Sequence, residues 1–195
     1  MIDRLIRFVR DTYRTEELIP LHAPVFAGRE KEYVLETIES TFVSSVGAFV
    51  DRFEADVAAY TGAERAVAVA NGTSALHITL ILVGVQPGDL VITQALTFVA
   101  TCNAIAYVQA EPLFIDVDRD RMGLSPVSLS EWLEAHAELD GQGICRRASD
   151  GRPIRAVIPM HTFGLPADLD GLVMVCSRWN LPLIEDAAES LGSTY

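Results

Sequence analysis

Three short segments of this chain carry residue types that could hold a charged, flat ligand. The first is Asn71-Gly72-Thr73-Ser74. A glycine there lets the backbone turn tightly, and the amides and hydroxyls of Thr73 and Ser74 would open the following helix. Free N–H groups and a positive partial charge at a helix start suit a phosphate, although Thr and Ser also serve there as plain N-caps. The spacing is neither that of a Walker loop nor that of a dinucleotide fingerprint. The second segment is Leu96-Thr97-Phe98-Val99-Ala100-Thr101. Its ring at Phe98 could stack on a heteroaromatic ligand, or could simply head a helix as a core residue. The third is Glu185-Asp186-Ala187-Ala188-Glu189-Ser190, after the apolar run LPLI. A carboxylate emerging from such a run is costly to desolvate unless a cation meets it. A protonated pyridine nitrogen is one such cation. Metal ligation by Asp186 is the competitor, with no His-x-x-x-His or carboxylate cluster beside it, and helix capping is the plainest reading.

The elements that must position these segments follow from residue 65 onward. Short apolar runs predict strands at 65–70 (RAVAVA), 89–94 (DLVITQ), 112–117 (PLFIDV), 154–160 (IRAVIPM) and 181–186 (LPLIED). Helical spacing predicts helices at 73–85, 98–109, 129–139 and 169–180, and 141–153 reads as a polar, Gly-rich surface excursion. Apolar strands alternating with helices indicate an α/β fold with a mostly parallel sheet flanked by helices. In such sheets ligands bind beyond the carboxyl ends of the strands, and all three segments fall at such ends.

Upstream, MIDRLIRFVRDTY is an amphipathic helix, with Arg4, Arg7 and Arg10 set among Leu5, Ile6, Phe8 and Val9, and Arg14 directly after it. Packing or a subunit contact accounts for it better than a membrane surface, because Asp3 and Asp11 dilute its charge. EELIPLHAPVFAG follows as an extended arm, since Pro20 and Pro24 forbid continuous helix. Helices are predicted at 29–40 and 49–62, the second stopped by Gly62, with a small-residue loop FVSSVG between them. The domain reading is an N-terminal helix and arm at 1–28 and a larger domain at 29–195.

A formal net charge of −12 argues against a nucleic-acid partner, which would ask for a basic face. No run reaches the roughly 18 apolar residues of a membrane span. The balance is that of a cytoplasmic enzyme. Cys102, Cys145 and Cys176 are odd in number and lack metal-ligand spacing, so they read as reduced thiols. The only lysine is Lys31, on the helix REKEYVLETIES.

The phrases IPLHAPVFAG, FVSSVGAFVDRFEADVAAYTGA, AVANGTSALH, PGDLVITQALTFVATCNAIAYVQAEPLFIDVD, PMHTFGLPADLD and LPLIEDAAESLGSTY together resemble the DegT/DnrJ/EryC1/StrS aminotransferases. These are sugar-processing members of the fold-type-I enzymes that use pyridoxal 5'-phosphate (PLP). FVSSVGAFVD, QALTFVAT and EDAAESLGS look closest to the LegC-like branch, associated with legionaminic acid and related diamino sugars. The resemblance implies that Thr73 and Ser74, following Gly72, hold the cofactor phosphate, that Phe98 stacks on the pyridine ring, and that Asp186 pairs with the ring nitrogen. Glu189 stands where relatives place Gln or His near the phenolic oxygen. An anionic Glu would repel that oxygen, so the resemblance implies a carboxyl that is protonated or turned away. Ser44 and Ser45 lie in the loop that shapes the sugar end of the site in relatives. The implied partners are a nucleotide-linked 4-keto sugar, glutamate as amino donor, and a second subunit in a homodimer. Relatives carry a Schiff-base lysine in a Ser-containing segment downstream of the EDAA strand, and this chain ends at Tyr195, before it. The expectation is therefore a truncated large domain, inactive alone. Against the aminotransferase stand a non-catalytic fragment or assembly module, and a PLP-dependent sugar dehydratase with His in place of the lysine.

Overall fold

Strand β1 (Leu90–Gln94) is buried at every position, as an apolar strand with helices on both faces must be. In the computed structural model, which describes residues 2–20 and 23–195, β1 is the centre of a three-stranded parallel sheet of order β2–β1–β5, with β2 at Glu111–Ile115 and β5 at Ile154–Ile158. Leu90 and Ile92 point into one core with helices α6 (Pro126–His136) and α7 (Leu169–Arg178), through Leu129, Leu133, Leu172 and Cys176. Val91 points into the other, with α4 (Gly72–Leu82) and α5 (Val99–Tyr107), through Leu76, Leu80, Ala104 and Ile105. Each fully buried Leu or Ile contributes about 1.5–3 kcal/mol. β5 carries an extra residue, because Leu90 pairs with Ile154 while Val91 pairs with Ala156. The bulged Arg155 sends its Nε to Asp89 Oδ2 at 3.0 Å. The slip puts Ile154 and Val157 on the same face and Ala156 and Ile158 on the other.

The run expected as a strand at 181–186 does lie parallel beside β5. Val157 N–H donates to Pro182 O at 3.0 Å, Ile184 N–H to Val157 O at 2.9 Å and Asp186 N–H to Pro159 O at 2.9 Å. It forms single bridges rather than a continuous strand, because Pro159 and Pro182 have no N–H to contribute. The order in which strands are added reverses at β1: the chain crosses to β2 on one side and returns to β5 on the other, which makes the carboxyl end of β1 the topological switch point.

Two expectations need correcting. RAVAVA at 65–70 is not a strand, and Val67 is 79% exposed. Alternation of small apolar residues permits a strand, but a strand exists only where a neighbour takes its hydrogen bonds. The polar surface excursion expected at 141–153 contains a strand, β4 (Cys145–Arg147), which pairs antiparallel with β3 (Ala137–Leu139) in a hairpin. Helix α6 accordingly stops at His136 instead of reaching 139. Asp140 closes the hairpin by accepting the amides of Ile144 and Gln142 on Oδ1 and Arg146 Nε on Oδ2. Those donors, the Ile144 amide first, bring its carboxyl down to about 2.

Cys145 and Cys176 are buried, and burial pushes their thiols up to about 11 and about 12. Both stay protonated and unreactive at neutral pH.

The chain divides into two compact units, Met1–Ala68 and Val69–Tyr195, and not at the 28/29 boundary expected from the arm. Within the first unit are α1 (Ile2–Tyr13), α2 (Glu30–Ser40) and α3 (Ala48–Thr61). The rings of Tyr33 and Phe49 join α2 to α3 at 5.3 Å between centroids. Gly62 ends α3 in a left-handed conformation (φ 76°), as its place in the sequence predicts. No residue described in this unit is buried. Leu21 and His22 of the expected arm lie outside the described residues. Among the described residues no helix is long and apolar enough to cross a membrane.

Candidate functional site at the strand ends

Beyond the carboxyl ends of β1, β5 and the last parallel run, the second unit holds a cavity of about 280 Å³. Gly72, Thr73, Phe98, Met160, Asp186 and Glu189 are among its lining residues. Five of the sequence-derived candidates thus meet in one place. A larger cavity, about 620 Å³, opens beside Asp118, Arg121 and Asp168. Two of its four acidic groups are already engaged: Asp118 Oδ1 accepts the amides of Asp120 and Arg121, and Asp168 Oδ1 accepts Gly171 N–H and the Tyr195 hydroxyl. Size alone does not make it the site.

Asp186 is 6% exposed. Its Oδ2 accepts the Thr101 hydroxyl at 2.6 Å, and its Oδ1 meets only the amide of Ala188, at 3.4 Å. Among the described residues no Lys, Arg or His forms an ion pair with it. A buried carboxylate on a cavity wall without a cation calls for one from a ligand. Phe98 caps α5 with extended backbone (φ −71°, ψ 146°) and is 64% exposed. That excludes the core reading for its ring and leaves a bare aromatic face on the cavity.

At the first segment the structure amends the expectation. Asn71 is the N-cap, and its Oδ1 accepts the Ser74 amide at 2.9 Å. The Ser74 N–H is therefore committed, and the amides of Gly72 and Thr73 are the ones without a protein acceptor among the described residues. Gly72 does not make a tight turn through a positive φ. A Cβ placed on it would meet nothing within 4 Å, so the missing side chain leaves room at the helix start where an anion would sit. Glu189 lines the cavity, and its Oε2 accepts the amide of Phe163 at 2.8 Å. Ser44 and Ser45 belong to the first unit, on an exposed loop where Ser44 Oγ accepts the Val46 amide at 3.4 Å.

Two residues that hold this site were missed in the sequence. Gln94, the last residue of β1, is fully buried. Its amide nitrogen donates to Leu96 O (2.9 Å) and Thr162 Oγ1 (3.0 Å), and its Oε1 accepts Met160 N–H (3.2 Å). It ties the loop after β1 to the loop after β5. Thr101, also fully buried, is the partner of Asp186. The signal for Gln94 was a polar residue closing an apolar strand, and for Thr101 a hydroxyl on the apolar face of a helix. His161, behind Asp186, accepts Ala167 N–H on Nδ1 at 3.0 Å, which leaves its Nε2 to donate to Glu185 Oε2 at 3.1 Å. Among the described residues no group of His, Cys, Asp and Glu could hold a metal ion.

The sequence pattern of the DegT/DnrJ/EryC1/StrS aminotransferase family matches residues 25–195. The chain belongs to that family. GDP-perosamine synthase of Caulobacter vibrioides is 37% identical over 177 residues, which are 91% of this chain and 43% of that protein. EpsN of Bacillus subtilis, assigned as a pyridoxal phosphate-dependent aminotransferase, is 38% identical over the same shares. A sugar aminotransferase assigned in Streptococcus pneumoniae, solved in its PMP form, superposes with a TM-score of 0.76 at 26% identity over 91% of this chain and 44% of that one. The DegT-family fold is thus present as the α/β, parallel-sheet part, and the chain spans about two fifths of the length of the curated relatives it matches.

Proposed function

We propose that residues 69–195 form the cofactor-binding part of a PLP-dependent aminotransferase acting on a nucleotide-linked keto sugar. The observation that carries this reading is Asp186, buried on the cavity wall with one oxygen nearly free and no cationic partner. The other walls fit the same group. The amides of Gly72 and Thr73 and the Thr73 and Ser74 hydroxyls suit its phosphate, the open space at Gly72 admits it, and Phe98 offers a ring face. When bound, PLP supplies an electron-withdrawing ring that carries an amino group from donor to acceptor. Asp186 would keep a proton on the ring nitrogen, which maintains that withdrawal. Phe98 would cover one ring face from water, and the α4 start would fix the phosphate end. Glu189, tied to Phe163, would line the phenolic side without pointing its charge inward. Ser44 and Ser45, in the first unit, would be substrate-binding residues.

The GDP-perosamine synthase relatives support a nucleotide-linked sugar as substrate. A legionaminic-type diamino sugar is the finer proposal, resting on the phrases FVSSVGAFVD and EDAAESLGS. Glutamate as donor, a homodimer and a cytoplasmic location complete it. Ile78, Ile81 and Leu82 on α4 are exposed, which is consistent with a subunit contact.

Pyridoxamine phosphate tests the site directly, since its amine needs no lysine linkage. Calorimetric titration of the chain is expected to give saturable one-site binding, weakened about threefold to tenfold by Phe98→Ala through loss of ring contact. Absence of saturable binding, or affinity indifferent to both Phe98→Ala and Asp186→Asn, would sink the reading.

A further inference from the structure

Helix threonines in this chain have a habit. Thr12, Thr37, Thr61 and Thr79 each donate their hydroxyl to the carbonyl four residues earlier, at 2.7, 2.7, 2.8 and 2.8 Å, the usual outlet for such a hydroxyl. Thr101 in α5 does not. Its Oγ1 donates to Asp186 Oδ2 at 2.6 Å, across 85 residues of sequence. A second hydroxyl, Thr97 Oγ1, lies 2.7 Å from Thr101 Oγ1, four residues back and just before the residue that caps α5.

We infer that Thr97 and Thr101 form a directed hydroxyl relay that positions Asp186 and fixes which of its oxygens meets the cofactor's ring nitrogen. This rests on the proposed cofactor site. Direction follows from proton counting. A hydroxyl has one proton, and a carboxylate only accepts, so the Thr101 proton is committed to Asp186. In the 2.7 Å contact Thr97 must then be the donor. Its proton is consequently not available to Met160 Sδ, 3.3 Å away, whose other close contact is the Phe98 amide at 3.4 Å. The Thr97 hydroxyl points at Thr101 Oγ1 and the Thr101 hydroxyl at Asp186 Oδ2, so the first polarises the second. Oδ2 is therefore occupied, and Oδ1, with only the long Ala188 contact, is the oxygen left for the ring.

The relay also decides where the proton between Asp186 and the ring nitrogen rests. Donors aimed at the carboxylate stabilise its charged form, so the proton stays on the nitrogen. Thr101 acts through Asp186 and is a positioning residue. The other titratable groups near Asp186 are Glu189, bound to the Phe163 amide, and His161 and Glu185, bound to each other. All three are unchanged in the variants below.

The test is the pH titration of the ring nitrogen by ¹⁵N NMR, using ring-labelled pyridoxamine phosphate bound to the chain. Thr101→Val keeps the shape and removes the donor. The ¹⁵N shift at the low-pH plateau is expected to move part of the way toward that of an unprotonated nitrogen, because the proton redistributes to the carboxylate that has lost its donor, and Thr101→Ser is expected to restore the parent titration. A Thr101→Val complex titrating like the parent would overturn the relay. If that variant does not fold, Thr97→Val, which removes only the second donor, is expected to move the titration the same way by less. No movement there would overturn it equally. The two readings fail separately. A titration that Asp186→Asn leaves in place refutes the site, whereas one that Asp186→Asn moves and Thr101→Val does not refutes only the relay.

Discussion

Replacing Asp186 by Asn is expected to weaken pyridoxamine phosphate binding by about tenfold to a hundredfold while making the ligand-free chain slightly more stable. The two effects have one cause. In the folded chain this carboxylate is 6% exposed and has no cationic partner, only the Thr101 hydroxyl at 2.6 Å and a long contact to the Ala188 amide. Such a group contributes desolvation cost without an ion pair to offset it. Asn keeps the shape, and its carbonyl still accepts from Thr101, so removal of the charge raises stability by on the order of 1 kcal/mol. The ligand side has the opposite sign. A charge-assisted hydrogen bond to a protonated ring nitrogen contributes about 1.5–3 kcal/mol, and a neutral amide cannot supply it. Urea denaturation without ligand and calorimetric titration with it measure the two halves separately. Loss of stability with unchanged affinity would mark Asp186 as a structural residue and remove the main support for the site. In a full-length protein the same change is expected to remove most of the transamination rate, since a ring nitrogen without its proton withdraws electrons poorly.

The strand-end segments were legible because their residues break a pattern that physics enforces strongly. Asp186 stands at the end of an apolar run, Gly72 opens a helix, and Phe98 follows a buried strand. The alternation of strands and helices that places Phe98 and Asp186 on one edge of the sheet is equally hard to mistake. What the sequence concealed depends on contacts between distant positions. RAVAVA has strand composition, yet Val67 is exposed because no neighbour pairs with it, and composition does not report a neighbour. The hairpin of β3 and β4 is closed by Asp140 gathering the Ile144 and Gln142 amides and Arg146, which reads in sequence as polar loop. The cap of α4 is Asn71 and not Thr73 or Ser74. All three residue types cap helices, and only the 2.9 Å contact to the Ser74 amide decides among them. Thr101 looks like any helix threonine until Asp186 arrives from 85 residues away.

Gln94 is the other position where a large effect is expected, and there it falls on the fold. Its side chain joins the loop after β1 to the loop after β5 in the buried layer beneath the cavity. Its nitrogen serves Leu96 O and Thr162 Oγ1, and its Oε1 serves Met160 N–H. Gln94→Leu has similar volume and would leave the Met160 amide and the Leu96 carbonyl without these partners. Thr162 still reaches Met122 O at 3.0 Å and loses less. Each buried polar group left unpaired costs about 1–3 kcal/mol, so a loss of about 2–4 kcal/mol is expected, read as a lower urea midpoint with unchanged slope. Gln94→Glu separates the two ends of the side chain. It keeps an acceptor for Met160 N–H but sets a fully buried carboxylate against the Leu96 carbonyl, so a loss at least as large as that of Gln94→Leu is expected. Because Met160 lines the cavity and its sulfur meets the Phe98 amide at 3.4 Å, both variants should also weaken pyridoxamine phosphate binding in the order of their stability losses. A Gln94→Leu chain with the parent's urea midpoint would show that the loops hold each other without this side chain. The geometry of the site would then have to come from the strands alone.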